Sequence, residues 1–301
     1  MSKKSLIAIK FLIMFAVLAV LITEINPEKI ANALSEMNQS LLLVVLLLLI
    51  PNLSIQAVKW GYLLKDVKSN ANLGEIVVSL LVGFSFALIS PGRLGEMARG
   101  VCIRGESKLR LAGLTAVDKI FLWAIIMIAG MVSLILLGPP VVVVFAFGVI
   151  ILVLAGCFDN LRLLKRTIAR ISSRLPFAEK SALLLEGFEG LSTKKSFVLL
   201  LMSATFYGIY FTQFYLLVLS FADIPFRSAV STIPLVLMAK TFLPITPVDV
   251  GVREAASVLL FTRFGVEKAY AFNAAFMLFL INVLLPGLMG FFFIPSIRLK
   301  E

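Results

Sequence analysis

The sequence contains no histidine and only two cysteines among its 301 residues. The absence of histidine excludes Ser-His-Asp triads, histidine general bases and histidine-ligated zinc. Cys102 and Cys157 allow at most one disulfide, and both are expected on the reducing cytoplasmic side of a membrane. The sequence also lacks a G-x-x-x-x-G-K-[ST] motif, which excludes an ATP site of the P-loop type.

Charged residues are also scarce, at 15% of the chain, whereas hydrophobic residues make up 60% and the mean hydropathy is +1.03. A soluble domain has an apolar share of only about 45–50%. The apolar runs are long and uninterrupted, unlike the alternating ten-residue strands of an outer-membrane barrel. The composition therefore predicts an all-α polytopic membrane protein. No small-residue cleavage site follows the basic, apolar N-terminus, so we interpret it as a retained first span.

The distribution of basic residues orients the spans, because Lys and Arg near span ends mark the cytoplasmic side. Lys3, Lys4 and Lys10 precede the first span, and the loop behind it is acidic. This pattern predicts a protein of the cell (cytoplasmic) membrane with both termini in the cytoplasm. The six predicted spans lie at about 6–22, 41–63, 111–138, 141–157, 196–221 and 269–294.

One apolar run, residues 76–89, is too short to cross a membrane. Its 14 residues reach about 21 Å as a helix, against a hydrocarbon core of about 30 Å. The run leads directly into "SPGRLGEMAR" at 90–99. A straight helix would place this charged stretch in lipid and the following basic loop outside. A turn at Pro91 and Gly92 avoids both, so we predict a re-entrant hairpin at 76–103.

The same pattern recurs at 229–243, where a second short apolar run leads into "PITPVDVGVREAASVLLF". It predicts a second re-entrant hairpin at 229–264 that enters from the opposite side. The predicted hairpin-turn residues of the two segments are Pro91, Gly92, Gly95, Pro244, Pro247 and Gly251.

These segments group into a single membrane domain, 1–301, built from two inverted repeats. Repeat 1 covers about 41–138 and repeat 2 about 196–294, a layout typical of transporters whose broken helices meet near the midplane. The linker at 158–195 has leucines and isoleucines at helical spacing beside basic residues. It is either an amphipathic element on an anionic lipid surface or a plain positive-inside loop.

Charged residues at the two turns are costly in a bilayer, at about 2.5–3.5 kcal/mol each, so we expect them to be paired or functional. One interpretation is local pairing, Glu96 with Arg99 and Asp249 with Arg253, at the i,i+3 and i,i+4 spacings of a helix.

The other interpretation is that Arg93, Arg99 and Arg253 line a cavity and hold an anionic headgroup, since guanidinium groups bind phosphate oxygens bidentately. Helix N-termini after each turn would add N–H donors, and the acidic groups would position the arginines or carry a proton. The candidate substrate-binding residues are Arg93, Glu96, Arg99, Asp118, Asp249, Arg253 and Glu254.

Other polar residues inside the spans are weaker signals. We expect Lys119 to snorkel to the cytoplasmic surface, its neighbour Asp118 to face the cavity, and the Lys59-Trp60 pair to be an interfacial anchor. The remaining weak signals are Gln56, Gln213, Lys240 and Asn282.

Both turn motifs, "PGRLGEMAR" and "PITPVDVGVREAASVLLF", resemble the paired signatures of the flippase-like family found in the membrane half of lysylphosphatidylglycerol synthases. "KWGYLL" at 59–64 and "AVDKIFLW" at 116–123 are similar to further motifs of that family. The chain differs in having Val248-Asp249 where the family commonly has Gly-Gly, and it contains no soluble aminoacyl-transferase domain.

This resemblance implies movement of a lipid across the bilayer, with five residues carried over: Arg93, Glu96, Arg99, Arg253 and Glu254. We therefore expect a flippase or transporter, not an enzyme, for a lipid with an anionic, aminoacylated or polyprenyl-linked headgroup. It would act passively or with ion coupling, without cofactor, metal or nucleic acid. Its partners would be the lipid and either a second copy of the chain or a lipid synthase.

Two alternatives remain open. An intramembrane lipid-modifying transferase would use Asp118, Asp249 and Glu254 as metal ligands or bases, which requires the carboxylates to converge. A non-catalytic membrane partner of a lipid synthase would tolerate loss of the hairpin charges.

Overall fold

The computed structural model describes residues 3–90, 93–138, 140–159, 161–162, 166–167, 169–170, 178–243, 246 and 248–294. Within these ranges the chain is helical and forms no strand. The predicted all-α fold is therefore confirmed. The predicted turn residues Pro91, Gly92, Pro244 and Pro247 lie outside the described residues, as do parts of the linker.

Several helices of the first half begin at polar caps. The Asn26, Asn38, Asn72 and Ser107 side chains accept hydrogen bonds from backbone N–H groups of the first turns that follow them. The elements are α1 (Lys3–Ile25), α2 (Pro27–Glu36), α3 (Gln39–Leu47), α4 (Leu49–Leu64), α5 (Leu73–Leu88), a 3-10 helix (Leu94–Cys102), α6 (Lys108–Leu137) and α7 (Pro140–Phe158).

The second half repeats several of these lengths. Its elements are α8 (Ala178–Glu186), α9 (Thr193–Leu219), α10 (Phe226–Phe242), α11 (Val252–Phe261), a 3-10 turn (Thr262–Phe264), α12 (Lys268–Phe279), a π-helical turn (Leu280–Leu284) and α13 (Leu285–Phe291). The last three elements form one helical stretch, because no break separates them.

Four described helical stretches are long and apolar enough to cross a membrane: Gln39–Leu64, Lys108–Leu137, Thr193–Leu219 and Lys268–Phe291. A fifth span results if the pair Phe11–Ile25 and Pro27–Glu36, bent by 77°, counts as one. The chain is thus a multi-pass membrane protein with four or five candidate spans. The spans predicted at 6–22 and 141–157 correspond to the first arm of the bent pair and to the shorter apolar helix α7.

At both predicted places, the element after the turn packs against the helix before it. The 3-10 helix packs against α5, so closely that a Cβ at Gly95 would overlap the backbone carbonyl of Phe86. Likewise α11 packs against α10. We call these the first reversal (73–102) and the second reversal (226–261).

The two halves pack directly against each other. The Ser133 hydroxyl on α6 donates to the Val230 carbonyl on α10, at 2.8 Å. The Ser85 hydroxyl on α5 donates to the Gly287 carbonyl on α13, at 2.6 Å. Each reversal is therefore held by elements of the other half.

The linker is only partly a surface element. Its helix α8 packs against α6 at Gly113, where a Cβ would overlap the Leu184 carbonyl, and Phe188 is buried. The described basic residues upstream, Arg162, Arg166 and Arg170, are exposed. This upstream part has the exposure that the predicted lipid-surface element needs.

Candidate functional site

Glu96 lies at the centre of a group of cations. It is 2% exposed on the 3-10 helix, and its carboxylate contacts Arg93 at 2.6 Å and Arg99 at 3.2 Å. Lys119 of α6 forms a further ion pair with the same carboxylate. The predicted Glu96–Arg99 pair is confirmed, but Glu96 has two additional cationic partners.

Asp118 extends this network to two more helices. Its carboxylate contacts Lys59 of α4 at 2.7 Å and Arg99 at 3.2 Å. The Lys59 amine also donates to the Ser203 hydroxyl of α9, at 3.0 Å. Charged side chains thus connect the first reversal to α4, α6 and α9, and we call this set the first-reversal network.

Two sequence interpretations are wrong here. Lys119 does not snorkel to the surface, because Glu96 provides a buried counter-charge within its reach. Lys59 and Trp60 are not an interfacial anchor, since they are 3% and 0% exposed. The Trp60 indole N–H donates to the Ser79 hydroxyl, at 2.8 Å, and the Arg99 guanidinium lies over its ring, 5.0 Å from the centroid.

The second reversal contains a closed ion pair. Arg253 and Glu254 are 1% and 0% exposed, and their nearest charged atoms are 2.5 Å apart. The other Glu254 oxygen accepts the Gly251 backbone N–H, at 2.6 Å, as a helix cap. The Arg253 guanidinium lies over the Phe279 ring, 5.5 Å from the centroid.

The predicted Asp249–Arg253 pair is wrong for a local reason. Val248, Asp249 and Gly251 have positive φ angles of 57°, 62° and 93°, so α11 begins only at Val252. The i,i+4 spacing brings side chains together only within a continuous helix. Asp249 therefore forms no ion pair with Arg253 among the described residues. Electrostatic interactions couple it to Lys240, to Arg93 and Glu96 of the first reversal and, beyond ion-pair distance, to Arg253.

A cavity of about 50 Å³ lies where the two halves meet. Its lining combines three cations with aromatic, apolar and amide side chains: Gln56, Arg93, Lys119, Leu122, Ile126, Phe206, Tyr207, Tyr210, Leu237 and Lys240. The Lys240 amine lies 3.5 Å from the Tyr210 hydroxyl and 5.0 Å from the centre of its ring. We call this space the cationic cavity.

Only one of the seven predicted site residues, Arg93, lines the cationic cavity. Arg93 has a left-handed backbone (φ 58°), and its guanidinium lies 5.5 Å from the centre of the Phe84 ring. Glu96, Arg99 and Asp118 lie behind it in the first-reversal network, and Arg253 and Glu254 form their own pair.

Sequence reasoning underrated the other lining residues. Lys240 and Gln56 were weak signals because a single polar residue in a span does not reveal which way it faces, and Tyr207 and Tyr210 gave no signal. Within the described ranges, no group of three Cys, Asp or Glu side chains has the arrangement of a metal site.

Comparison with known proteins identifies a family but no individual relative. No curated protein matches the chain. A family model described as the lysylphosphatidylglycerol synthase TM region matches residues 7–290, nearly the whole sequence. The protein therefore belongs to the family of lysylphosphatidylglycerol synthase transmembrane regions.

Proposed function

We propose that the protein is a lipid flippase that moves an anionic headgroup between leaflets by way of the cationic cavity. The observation that carries this proposal is the cavity itself, since Arg93, Lys119 and Lys240 line one space between the two halves. Placing three cations around a cavity inside an apolar helical body is costly unless an anion binds there. Membership of a lipid-related membrane family supports a lipid as the source of that anion.

The layout that this mechanism uses is also a proposal. Both reversals would be re-entrant, with repeat 1 and repeat 2 inserted in opposite directions and both termini in the cytoplasm. Alternating exposure of the cavity would come from movement of one repeat against the other. The contacts between α6 and α10 would then be the surface at which the halves shift.

In this proposal the protein is a transporter and not an enzyme. Arg93, Lys119 and Lys240 would contact the headgroup, while Glu96 would hold two of these cations in place through its ion pairs. Acyl or prenyl tails would remain in the surrounding lipid. The exposed upstream residues of the linker, Arg162, Arg166 and Arg170, would contact anionic lipids of the cytoplasmic leaflet.

The test is lipid translocation in proteoliposomes that contain fluorescent lipids with anionic, zwitterionic or polyprenyl-phosphate headgroups. We expect headgroup-selective translocation by the wild type and a loss of about tenfold in Lys240→Gln, since one favourable charge contact is removed from the headgroup. Lys194→Gln is the matched control, because Lys194 is exposed at the start of α9.

Three outcomes separate the proposal from its alternatives. Translocation that is absent for every lipid would overturn the flippase assignment. If translocation is unchanged in Lys240→Gln, the lipid headgroup does not pass by way of the cationic cavity. Chemical modification of the added lipid by the wild type would favour a transferase, and a requirement for a co-expressed synthase would favour a partner role.

A further inference from the structure

The buried charges around the cationic cavity do not balance. The buried or half-buried cations of the two reversals and their neighbours are Lys59, Arg93, Arg99, Lys119, Lys240 and Arg253. The carboxylates are Glu96, Asp118, Asp249 and Glu254. Within the described part of the chain, six cations against four carboxylates leave a surplus of two positive charges. Lys195, another buried cation, pairs with Asp66 and does not belong to this set.

The surplus is located at the cavity wall. Glu96 is shared by Arg93, Arg99 and Lys119, so one carboxylate serves three cations. Among the described residues, Lys240 has no carboxylate within ion-pair distance. Its amine contacts the Tyr210 hydroxyl and ring, and Asp249 interacts with it electrostatically from farther away.

Two hydrogen-bonding atoms of the same wall are also unused. The Arg93 Nε and the Tyr207 hydroxyl are buried and have no hydrogen-bond partner within the described part of the chain. Both residues line the cavity. Buried donors without partners are uncommon in native proteins, so these two atoms are available to an acceptor that a ligand in the cavity would supply.

We infer that the cationic cavity selects a headgroup with two negative charges on one compact phosphate, a phosphate monoester, over a singly charged phosphodiester. A phosphate monoester carries about −1.5 to −2 charges at pH 7 and presents three acceptor oxygens. It would neutralise the surplus and accept from the free donors. This inference rests on the proposed function for its lipid source.

Cavity size agrees with a compact group. A water molecule needs about 10–15 Å³ of cavity volume, so a cavity of about 50 Å³ holds a few heavy atoms. This space matches a phosphate and is too small for a sugar. The aromatic side chains of Phe206 and Tyr207 complete the wall on the α9 side.

The test compares two probes that differ by one charge, dioctanoyl phosphatidic acid and dioctanoyl phosphatidylmethanol, in binding titrations of the purified protein in detergent. We expect the wild type to bind phosphatidic acid more tightly by roughly tenfold, because the second charge meets uncompensated cations in a low-dielectric site. Inorganic phosphate as a competitor distinguishes a free anion from a lipid. If inorganic phosphate competes as strongly as phosphatidic acid does, the ligand of this dianion site is soluble phosphate and not a lipid.

Lys240→Met and Lys119→Met should each reduce the ratio of the two affinities toward one, whereas Lys194→Met should leave it unchanged. Two variants are used so that a folding defect in one does not decide the result. Equal affinity of the wild type for both probes would overturn the charge inference even if lipids are translocated. A strong preference without translocation of any lipid would instead overturn the flippase proposal.

Discussion

The first and second reversals have similar sequences but use their charges differently. In the first, Glu96 and Asp118 connect four cations from the 3-10 helix, α4 and α6. In the second, Arg253 and Glu254 satisfy each other, and the remaining Glu254 oxygen caps α11. The first-reversal network is thus open, with cations left over, whereas Arg253 and Glu254 of the second reversal form a closed pair.

This difference indicates that the two similar motifs have different roles. Arg93 and Lys119 have side chains 17% and 21% exposed and line the cationic cavity, whereas Arg253 is almost completely buried. A guanidinium that is already neutralised by an adjacent carboxylate has little charge to offer a ligand. We therefore interpret Arg93 of the first reversal, Lys119 of α6 and Lys240 of α10 as the ligand-contacting cations, and the Arg253–Glu254 pair as a support.

The largest effect on stability is expected when the buried glutamate of each reversal is replaced. Glu96→Gln removes the counter-charge of three cations, so we expect a loss of about 3–5 kcal/mol in the free energy of unfolding. Glu254→Gln should cost less, because only Arg253 loses its partner. Denaturant unfolding in detergent measures both losses of stability. The control is Glu24→Gln, which removes the exposed ion pair with Lys268 and should cost about 0–1 kcal/mol. Equal losses for Glu96→Gln and Glu254→Gln would contradict the difference between network and pair.

A smaller effect is expected from the glycines of the two reversals. The added Cβ of Gly95→Ala would overlap the Phe86 backbone, so the 3-10 helix must move off α5 at a cost of about 1–3 kcal/mol. Gly251→Ala should cost less, since its Cβ would meet the Val17 side chain at 3.0 Å and its strain comes mainly from its positive φ.

Gly208→Ala, in the interior of α9 with open space around the added Cβ, should instead stabilise by about 0.5–1 kcal/mol. Thermal unfolding of the three alanine variants measures their order of stability directly. A Gly95→Ala variant as stable as the wild type would show that the contact between α5 and the 3-10 helix is not tight.

The smallest expected effect concerns the two tryptophans. Trp60→Phe removes the hydrogen bond to Ser79 behind the first reversal and should cost about 1–2 kcal/mol. Trp123→Phe, at a residue that is 44% exposed, should change stability by about 0.5 kcal/mol or less. If both variants are equally stable, the buried indole does not support the network.

Local sequence rules predicted those features that depend on neighbours along the chain. The all-α class and the Glu96–Arg99 pair follow from hydropathy, run length and i,i+3 spacing. The same kind of rule failed at Asp249, because a positive φ at Val248, Asp249 and Gly251 interrupts the helix that the rule requires.

Contacts between distant segments could not be read from the sequence. Lys59 and Asp118 are 59 positions apart, and their pairing depends on how α4 packs against α6. Trp60 was misassigned because an indole at the end of a span fits both a membrane interface and a buried hydrogen bond. Lys240 reaches the cavity only because α10 packs on α6, which no local pattern specifies.

The most direct measurement is the translocation rate per folded molecule of Arg93→Gln and Arg253→Gln in proteoliposomes, compared with Arg227→Gln at an exposed position of α10. We predict that Arg93→Gln slows headgroup translocation by about tenfold, since a bidentate contact to the headgroup is lost. Arg253→Gln should lower the amount of folded protein but leave the rate per molecule close to that of Arg227→Gln. A normal rate in Arg93→Gln, or an equal loss per molecule in Arg253→Gln, would contradict the assignment of the ligand contact to the first reversal.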